Sequence, residues 1–536
     1  MSALHGWPGL LSAYASVQGP LMAALARARA PLRQWLLSPL LAAPVTALAG
    51  LSISAAAPLL RGLAAGNAAL EVFAAAGFSA ALGYGAGRVL ARRAPPAALH
   101  QRGALVLEEP PRAPAGAGPA RAGRAAARER ITLAGIALSP EDEVKHFKLI
   151  GTTGTGKSTA IRELLAAALA RGDRAVIADP DGGYLRRFYD ARRGDVILNP
   201  FEAASARWDL FGEISDDYDV EQLARSLIPD HEGSDRSWRG YARTFFSAVT
   251  AQAHAAGSRD VRELYRLLVV AGTPELRTLV AGTPAQPFLE EHNGRMFDSI
   301  RSVTSSAVGA LEYVARQRSA PLAVRSWVQQ GAAAASGGTP ARGVLFLPYR
   351  AGQVAALRST ISAWMRLAIF EAMNREEGDQ RLWFVVDELD ALGQIDGLKD
   401  ALARVRKFGG RCVLGFQSIA QVSSTYGSGE AQTLVENCAN TLILRCSGSE
   451  HGGTSQFASR LIGEREVLRV QTSRSRRGTE LLPAVTRSEH LGLEAAVMGA
   501  QIEQLPDLAG YLKIASRPEW RRVRLAAPGA VRERSA

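Results

Sequence analysis

The eight residues GTTGTGKS, Gly151 to Ser158, constrain this chain more than any other feature of it. They fit the pattern G-x-x-x-x-G-K-[ST], follow the apolar run His146-Phe-Lys-Leu-Ile150, and precede a helix-like stretch from Thr159 to Ala170. Strand, glycine turn and helix in that order make a phosphate cradle. Gly151, Gly154 and Gly156, with Thr152, Thr153 and Thr155 between them, let backbone amides turn inward around a triphosphate. Lys157 neutralises the β and γ phosphates, the Ser158 hydroxyl can ligate Mg²⁺, and Thr159 completes the binding segment. The expected ligands are therefore ATP and Mg²⁺. The alternative, a chance glycine loop, is disfavoured because the chain has only six lysines and one of them falls in this context.

A phosphate cradle needs a distal acid. The run Leu382-Trp-Phe-Val-Val386 is continuously apolar, as a central parallel strand should be, and ends in Asp387-Glu388. Asp387 would meet Mg²⁺ through water and Glu388 would polarise the attacking water. Further strands are expected at Ala175 to Ala178, Val344 to Leu347, Cys412 to Phe416 and Thr441 to Leu444, with helix-like runs such as Gln353 to Met373 between most of them. Gln417, at the end of one such strand, is placed to sense the γ-phosphate. This alternation predicts an α/β fold with a doubly wound, mainly parallel sheet, built from residues 131–216 and 316–525.

From Lys157 to Asp387 is 230 positions, far more than two or three βα units need. The surplus, residues 217–315, carries helical periodicity (Trp238, Tyr241, Phe245, Val249; Phe297, Ile300, Val303, Val308, Leu311) and is expected to be an all-α insertion domain. Its aromatic stripe reads as core, and Arg236, Arg239 and Arg243 as a solvated face.

The charge balance bears on the remainder. The chain carries a formal +12, and 47% of it is apolar, which excludes a disordered chain. Residues 1–130 contain 13 arginines and four acids, so nine of those twelve charges sit in the first quarter. That quarter reads as a membrane anchor over residues 1–93, with two transmembrane helices at about 36–60 and 72–88. The first of these includes 25 residues without a charge, Leu36 to Leu60. Arg27, Arg29 and Arg33 precede the hairpin, Arg88, Arg92 and Arg93 follow it, and only Arg61 lies between the spans, which puts both ends in the cytoplasm. Residues 94–130, rich in Ala, Pro, Gly and Arg, read as a linker, with a short strand expected at Arg102 to Leu107, and residues 526–536 as a basic tail. Cys412, Cys438 and Cys446 lack metal-ligand spacing and are expected to be reduced thiols.

Beyond the nucleotide motifs, the chain contains VKHFKLIGTTGTGKS, ADPDGGYLRRF (Ala178 to Phe188), VILNPF (Val196 to Phe201), VRSWV (Val324 to Val328), ARVRKFGGRCVLGFQSIAQ (Ala403 to Gln421), STYGSGEAQTLVENCANT (Ser424 to Thr441) and QLPDLAGYL (Gln504 to Leu512). In these segments it resembles the type IV secretion coupling proteins, the TraD-like ATPases of bacterial conjugation. The resemblance implies a RecA-like P-loop NTPase core that assembles as a homo-hexamer at the bacterial inner membrane, multi-pass, with its motor in the cytoplasm. It implies ATP hydrolysis coupled to translocation of DNA, a relaxase-bound single strand, to the secretion channel, with relaxase and channel components as partners. It also implies that Arg406 reaches a neighbouring subunit's nucleotide, with Arg445 a second candidate. The 61–71 loop between the spans is shorter than is usual in that family, and an acidic tail found in some relatives is missing. Two other functions compete. One is a double-stranded DNA translocase of the FtsK type, which usually adds more membrane spans and a winged-helix reader. The other is a nucleotide-gated, non-catalytic DNA or relaxase receptor, which has no need of Lys157, Asp387, Glu388 and Gln417 together.

Overall fold

The computed structural model describes Met22 and residues 98–108, 130–230, 235–333, 342–374, 381–449, 452–475 and 484–527. Among the described residues no helix is long and apolar enough to cross a membrane. The two expected spans, most of the 94–130 linker and most of the 526–536 tail lie outside the described residues. The chain divides into two compact units, Met1–Leu99 with Leu468–His490, and His100–Val467 with Leu491–Ala536. Apart from Met22, the described residues of the first unit belong to the strands Ala98–Gly103, Glu464–Ser475 and Ala484–Ala495.

A ten-stranded sheet organises the second unit. Its order across the sheet is Val106–Glu108, Trp520–Arg524, Ala509–Lys513, Asn440–Ile443, Phe147–Ile150, Gly410–Phe416, Leu382–Val386, Arg174–Pro180, Val344–Tyr349, Val196–Ile197. The last seven of these run parallel to one another. Ala509–Lys513 and Trp520–Arg524 extend them as an antiparallel hairpin, and Val106–Glu108 pairs parallel at the edge. The strand expected at Arg102 to Leu107 is in fact two, because the chain turns after Gly103 and passes from a three-stranded sheet into this one.

The central strands are apolar throughout because both their faces are covered. Leu382, Phe384 and Val386 enter one core, while Trp383 and Val385 enter the other. Val176 and Ala178 alternate in the same way with Ala175 and Ile177. Each such large side chain contributes about 1.5–3 kcal/mol of burial free energy. The second core lies beneath helix Lys157–Arg171, which buries Ile161, Leu164, Leu165 and Ala168 and stops at Gly172, whose N–H bonds the carbonyls of Ala168 and Leu169.

The first core is larger. It takes in helices Val354–Met373 and Leu398–Val405, and also the helices of residues 217–316: Asp217–Leu227, Arg236–Ala255, Val261–Tyr265, Thr273–Leu279, Gly294–Val308 and Leu311–Arg316. No strand interrupts that stretch among the described residues. Phe245, Phe246, Phe297 and Ile300 belong to the same buried cluster as Phe384 of the sheet, so the inserted helices share the core of the sheet's first face. Of the aromatic stripe, Phe245 is buried, Trp238 packs against this core and Tyr241 stays exposed. Buried ion pairs reinforce the join. Arg325 donates both terminal nitrogens to Asp219 of helix Asp217–Leu227 and its Nε to Glu371 of helix Val354–Met373, at 2.9 Å in the second case. The three cysteines are free and buried.

Candidate nucleotide site

The loop Gly151–Gly156 sits between the end of strand Phe147–Ile150 and the start of helix Lys157–Arg171. Neighbouring segments brace it. Gly151 N–H bonds the Phe416 carbonyl at 3.3 Å, Thr152 gives its N–H (2.9 Å) and its hydroxyl (3.2 Å) to the Arg445 carbonyl, and the Thr155 carbonyl accepts the Leu508 N–H at 2.9 Å. Within the loop, Thr155 Oγ1 donates to the Thr152 carbonyl at 2.7 Å. Gly154 has a left-handed φ of 79°, and a side chain there would meet nothing within 4 Å, so the loop's outer face is open. No side chain caps the helix, which leaves first-turn N–H groups, those of Lys157, Ser158 and Thr159 among them, available to an anion. Lys157 is buried and donates to the carbonyls of Gly151 (2.6 Å) and Thr152 (3.3 Å). Burial lowers its affinity for a proton, while Asp387 and Glu388 pull the other way.

Three adjacent strands carry the polar groups. Strand Gly410–Phe416 lies between the P-loop strand and the acidic strand Leu382–Val386, so Gln417 emerges between the loop and the acid pair. Ser158 Oγ donates to Asp387 Oδ2 at 2.7 Å. Gln417 donates its amide to Glu388 at 3.0 Å and accepts the Thr153 hydroxyl at 2.9 Å. Burial, and then Asp387, raise the Glu388 carboxyl above the usual carboxylate range, and the Gln417 bond opposes them. Lys157, Ser158, Asp387, Glu388, Gln417 and Thr153 thus form one connected site.

Sequence reasoning missed three of its members. The Tyr184 hydroxyl gives Asp387 Oδ2 a second hydrogen bond at 2.7 Å, and burial followed by Asp387 hold its phenol well above the ordinary value. Asp179 accepts the N–H groups of Tyr184 (3.0 Å) and Leu185 (2.7 Å), which holds Tyr184 in place, and burial pushes its carboxyl up to about 6. Gly415 lets the acidic segment cross its neighbour: a Cβ there would stand 2.2 Å from the Asp387 carbonyl, and Leu389 N–H bonds the Gly415 carbonyl at 2.9 Å. The cue for Asp179 and Tyr184 was present as ADPDGGY directly after an apolar run. Gly415 gave no cue.

The geometry fits a nucleoside triphosphate with a divalent metal. Asp387 Oδ1 is buried without a hydrogen-bond partner beside the Ser158 hydroxyl, as an acid awaiting a metal-bound water would be. Among the described residues there is no cluster of three His, Cys, Asp or Glu side chains that could hold a metal by itself, so phosphate and water oxygens would have to complete the shell.

Neither arginine gives its guanidinium to these groups. Arg406 is exposed, precedes strand Gly410–Phe416, and therefore stands roughly 20 Å from the strand end that meets the P-loop. It makes no ion pair with a described carboxylate. Arg445 lies beside the loop, but its guanidinium pairs with Asp507 at 2.7 Å.

Comparison with known proteins gives a consistent result. The family described as type IV secretion-system coupling protein DNA-binding domain matches residues 130–526. Coupling protein TraD of Escherichia coli (strain K12) is 30% identical over 387 residues, which cover 72% of this chain and 53% of TraD. The chain thus spans about half the length of that curated relative. Among solved structures, plasmid coupling protein TrwB in complex with the non-hydrolysable ATP analogue ADPNP matches with a TM-score of 0.66 at 29% identity, over 80% of this chain and 94% of that one. TrwB in complex with ADP and Mg²⁺ gives 0.64 at 31%, over 74% and 88%. The mixed α/β fold with its large, mainly parallel sheet is the one those structures share, a RecA-like core. With its connected P-loop site on that core and a family match running from residue 130 to residue 526, the chain belongs to the type IV secretion-system coupling protein family.

Proposed function

We propose that the protein is an inner-membrane ATPase that couples ATP hydrolysis to delivery of relaxase-bound single-stranded DNA to a type IV secretion channel during conjugation. The observation that carries the catalytic half is the Glu388–Gln417–Thr153 chain, which ties a water-activating acid to the phosphate loop. A scaffold that only binds nucleotide has no use for it. The TrwB complexes with ADPNP and with ADP and Mg²⁺ support ATP and Mg²⁺ as ligands. The DNA half follows the family.

In this reading the backbone N–H groups of Gly151 to Thr159 hold the phosphates, and Lys157 leaves its carbonyl partners to neutralise the β and γ oxygens. Ser158 and Asp387 would hold Mg²⁺, which would screen the phosphate charge. Glu388 takes the proton of the attacking water, and Gln417, touching both Glu388 and the loop, reports the γ-phosphate. Arg406 completes a neighbouring subunit's site in a homo-hexamer; its exposure, its lack of a carboxylate partner among the described residues and its distance from its own loop support service in trans. Residues 131–216 with 316–525 form the motor, 217–315 an inserted helical part, and 1–93 an anchor with spans at about 36–60 and 72–88 that leaves the motor cytoplasmic. The test is plasmid transfer from a strain whose only copy carries Lys157→Ala. Transfer should fail, and transfer at the wild-type frequency would defeat the reading.

A further inference from the structure

A cleft apart from the nucleotide site opens at the same end of the sheet, beyond its far edge strand. It holds about 390 Å³, within the range of small-ligand clefts. Its walls are the turn 200–205, which follows strand Val196–Ile197, and residues 313–319, at and beyond the end of helix Leu311–Arg316. Strand Val196–Ile197 belongs to the parallel set and lies five positions from the P-loop strand, so the cleft stands roughly 24 Å from the phosphate loop.

Hydrogen bonds fix both walls before anything binds. Asn199 accepts the Phe201 N–H at 2.8 Å and donates its amide to the Pro348 carbonyl at 2.7 Å, while the Ser205 hydroxyl accepts the Asn199 N–H at 2.9 Å. Arg207 N–H bonds the Ala320 carbonyl at 3.0 Å, and Gln317 gives its amide to the Ala206 carbonyl at 3.4 Å, which ties one wall to the other.

The lining selects the ligand. Tyr313 lines the cleft, and its ring lies against that of Phe201 with centroids 4.6 Å apart; Phe201 stays 41% exposed. Arg316 and Arg318 line it too and are exposed. Arg316 spends one nitrogen on Glu312, and Arg318 makes no ion pair with a described carboxylate. Glu202, the acid among the lining residues, is paired with Arg350 at 3.6 Å. No aliphatic side chain larger than proline lines the cleft, so an apolar peptide anchor has no seat there.

Aromatic rings beside guanidinium groups that lack an acid are what holds a single strand: a base stacks on the ring and its phosphate meets the cation. We infer that this cleft binds one nucleotide unit of single-stranded DNA, its base against Phe201 and Tyr313 and its phosphate on Arg318 and Arg316. This rests on the DNA-delivery reading and deepens it, since that reading names no residue that touches the strand. Duplex bases stay stacked on one another and do not reach the rings.

Phe201→Ser and Arg318→Gln change exposed side chains away from the nucleotide site. With the full-length chain in detergent and a fluorescein-labelled oligothymidylate, the dissociation constant should rise about tenfold in Phe201→Ser, the loss of one stacked base. In Arg318→Gln it should rise about threefold, and the slope of log K against log salt should become shallower by about 0.7, the share of one phosphate. Melting temperature should hold, and affinity for a fluorescent ATP analogue should stay within about twofold. Long-wave irradiation of the wild type with an oligonucleotide carrying 5-iodouracil should attach it at Phe201 or Tyr313, as mass spectrometry of the peptides reads. Single-strand affinity unchanged in both variants overturns the inference, and so does attachment only elsewhere. An equal loss of duplex and single-strand affinity in Phe201→Ser overturns the stacking. If Phe201→Ser fails to fold, Arg318→Gln and the point of attachment decide. A wild-type protein that binds no single-stranded DNA sinks this inference and the DNA half of the proposed function together, whereas wild-type binding that both variants keep sinks the cleft alone.

Discussion

Gln417 is held from both sides: its amide nitrogen donates to Glu388 at 3.0 Å while its carbonyl oxygen accepts the Thr153 hydroxyl at 2.9 Å. The two partners fix the amide's orientation, since a flipped amide would set its oxygen against a carboxylate. A change at the phosphate loop is therefore felt at the Glu388 carboxylate.

Replacing Gln417 by Ala should break that link without disturbing the loop. The expected result is a kcat lower by about 10²-fold with KM for ATP little changed, because the lost contact serves the transition state. Steady-state phosphate release measures both constants. A change confined to KM would show that Gln417 only helps to bind.

Tyr184→Phe removes one of the two donors on Asp387 Oδ2 but keeps the ring that packs in the second core. The Mg²⁺ concentration needed for half-maximal turnover should rise by about tenfold or more, as is usual when the group behind a metal ligand is lost. Magnesium titration at saturating ATP checks this.

Arg325 is the hub of a buried network with Asp219 and Glu371, and it neutralises two acids at once. Arg325→Met should destabilise the protein by about 3–5 kcal/mol, because two buried carboxylates then lack their cation. Denaturant unfolding of the detergent-solubilised chain reads that loss. A change below about 1 kcal/mol would mean that water reaches the network.

The histidine at the start of the P-loop strand should make the fold acid-sensitive. His146 meets the Leu402 carbonyl at 2.8 Å through Nε2 and accepts the Cys412 N–H at 3.1 Å through Nδ1, so it is held as the neutral tautomer. Burial pushes it down to about 4, with Arg406 and Arg411 adding to the effect. An unfolded histidine takes up its proton near pH 6.5, so from there down to about 4 the unfolded chain binds the extra proton and stability falls, by on the order of 3 kcal/mol. Glu213 acts in the opposite sense: fully buried, it is pushed up to about 7, and its contribution is lost as pH rises from about 4.5 to 7. His146→Asn, which tolerates the left-handed backbone at this position (φ 56°), should flatten the acid side of a plot of melting temperature against pH.

The nucleotide-site end of the fold was legible because its motifs are local. A P-loop is contiguous, and the run LWFVVDE carries both the burial pattern of a central strand and its acids. Strand Gly410–Phe416 could be read as a strand, but its position between those two could not, because strand order is set by packing far apart in sequence. For the same reason Tyr184 went unread although ADPDGGY stood in view: it matters for the Asp387 carboxylate, which another strand brings to it. The helices of residues 217–316 were evident from periodicity. Their sharing of one core with the sheet was not, since it joins Phe245, Phe297 and Ile300 to Phe384, a residue far off in sequence.

The central claim is tested most directly by ATP turnover of the full-length protein in detergent, with and without single-stranded DNA, beside Lys157→Ala. The account predicts turnover that DNA stimulates, that rises cooperatively with protein concentration, and that is abolished in the variant while its unfolding midpoint stays unchanged. A wild-type protein that binds ATP and assembles yet releases no phosphate with any DNA would contradict it and leave a nucleotide-gated receptor.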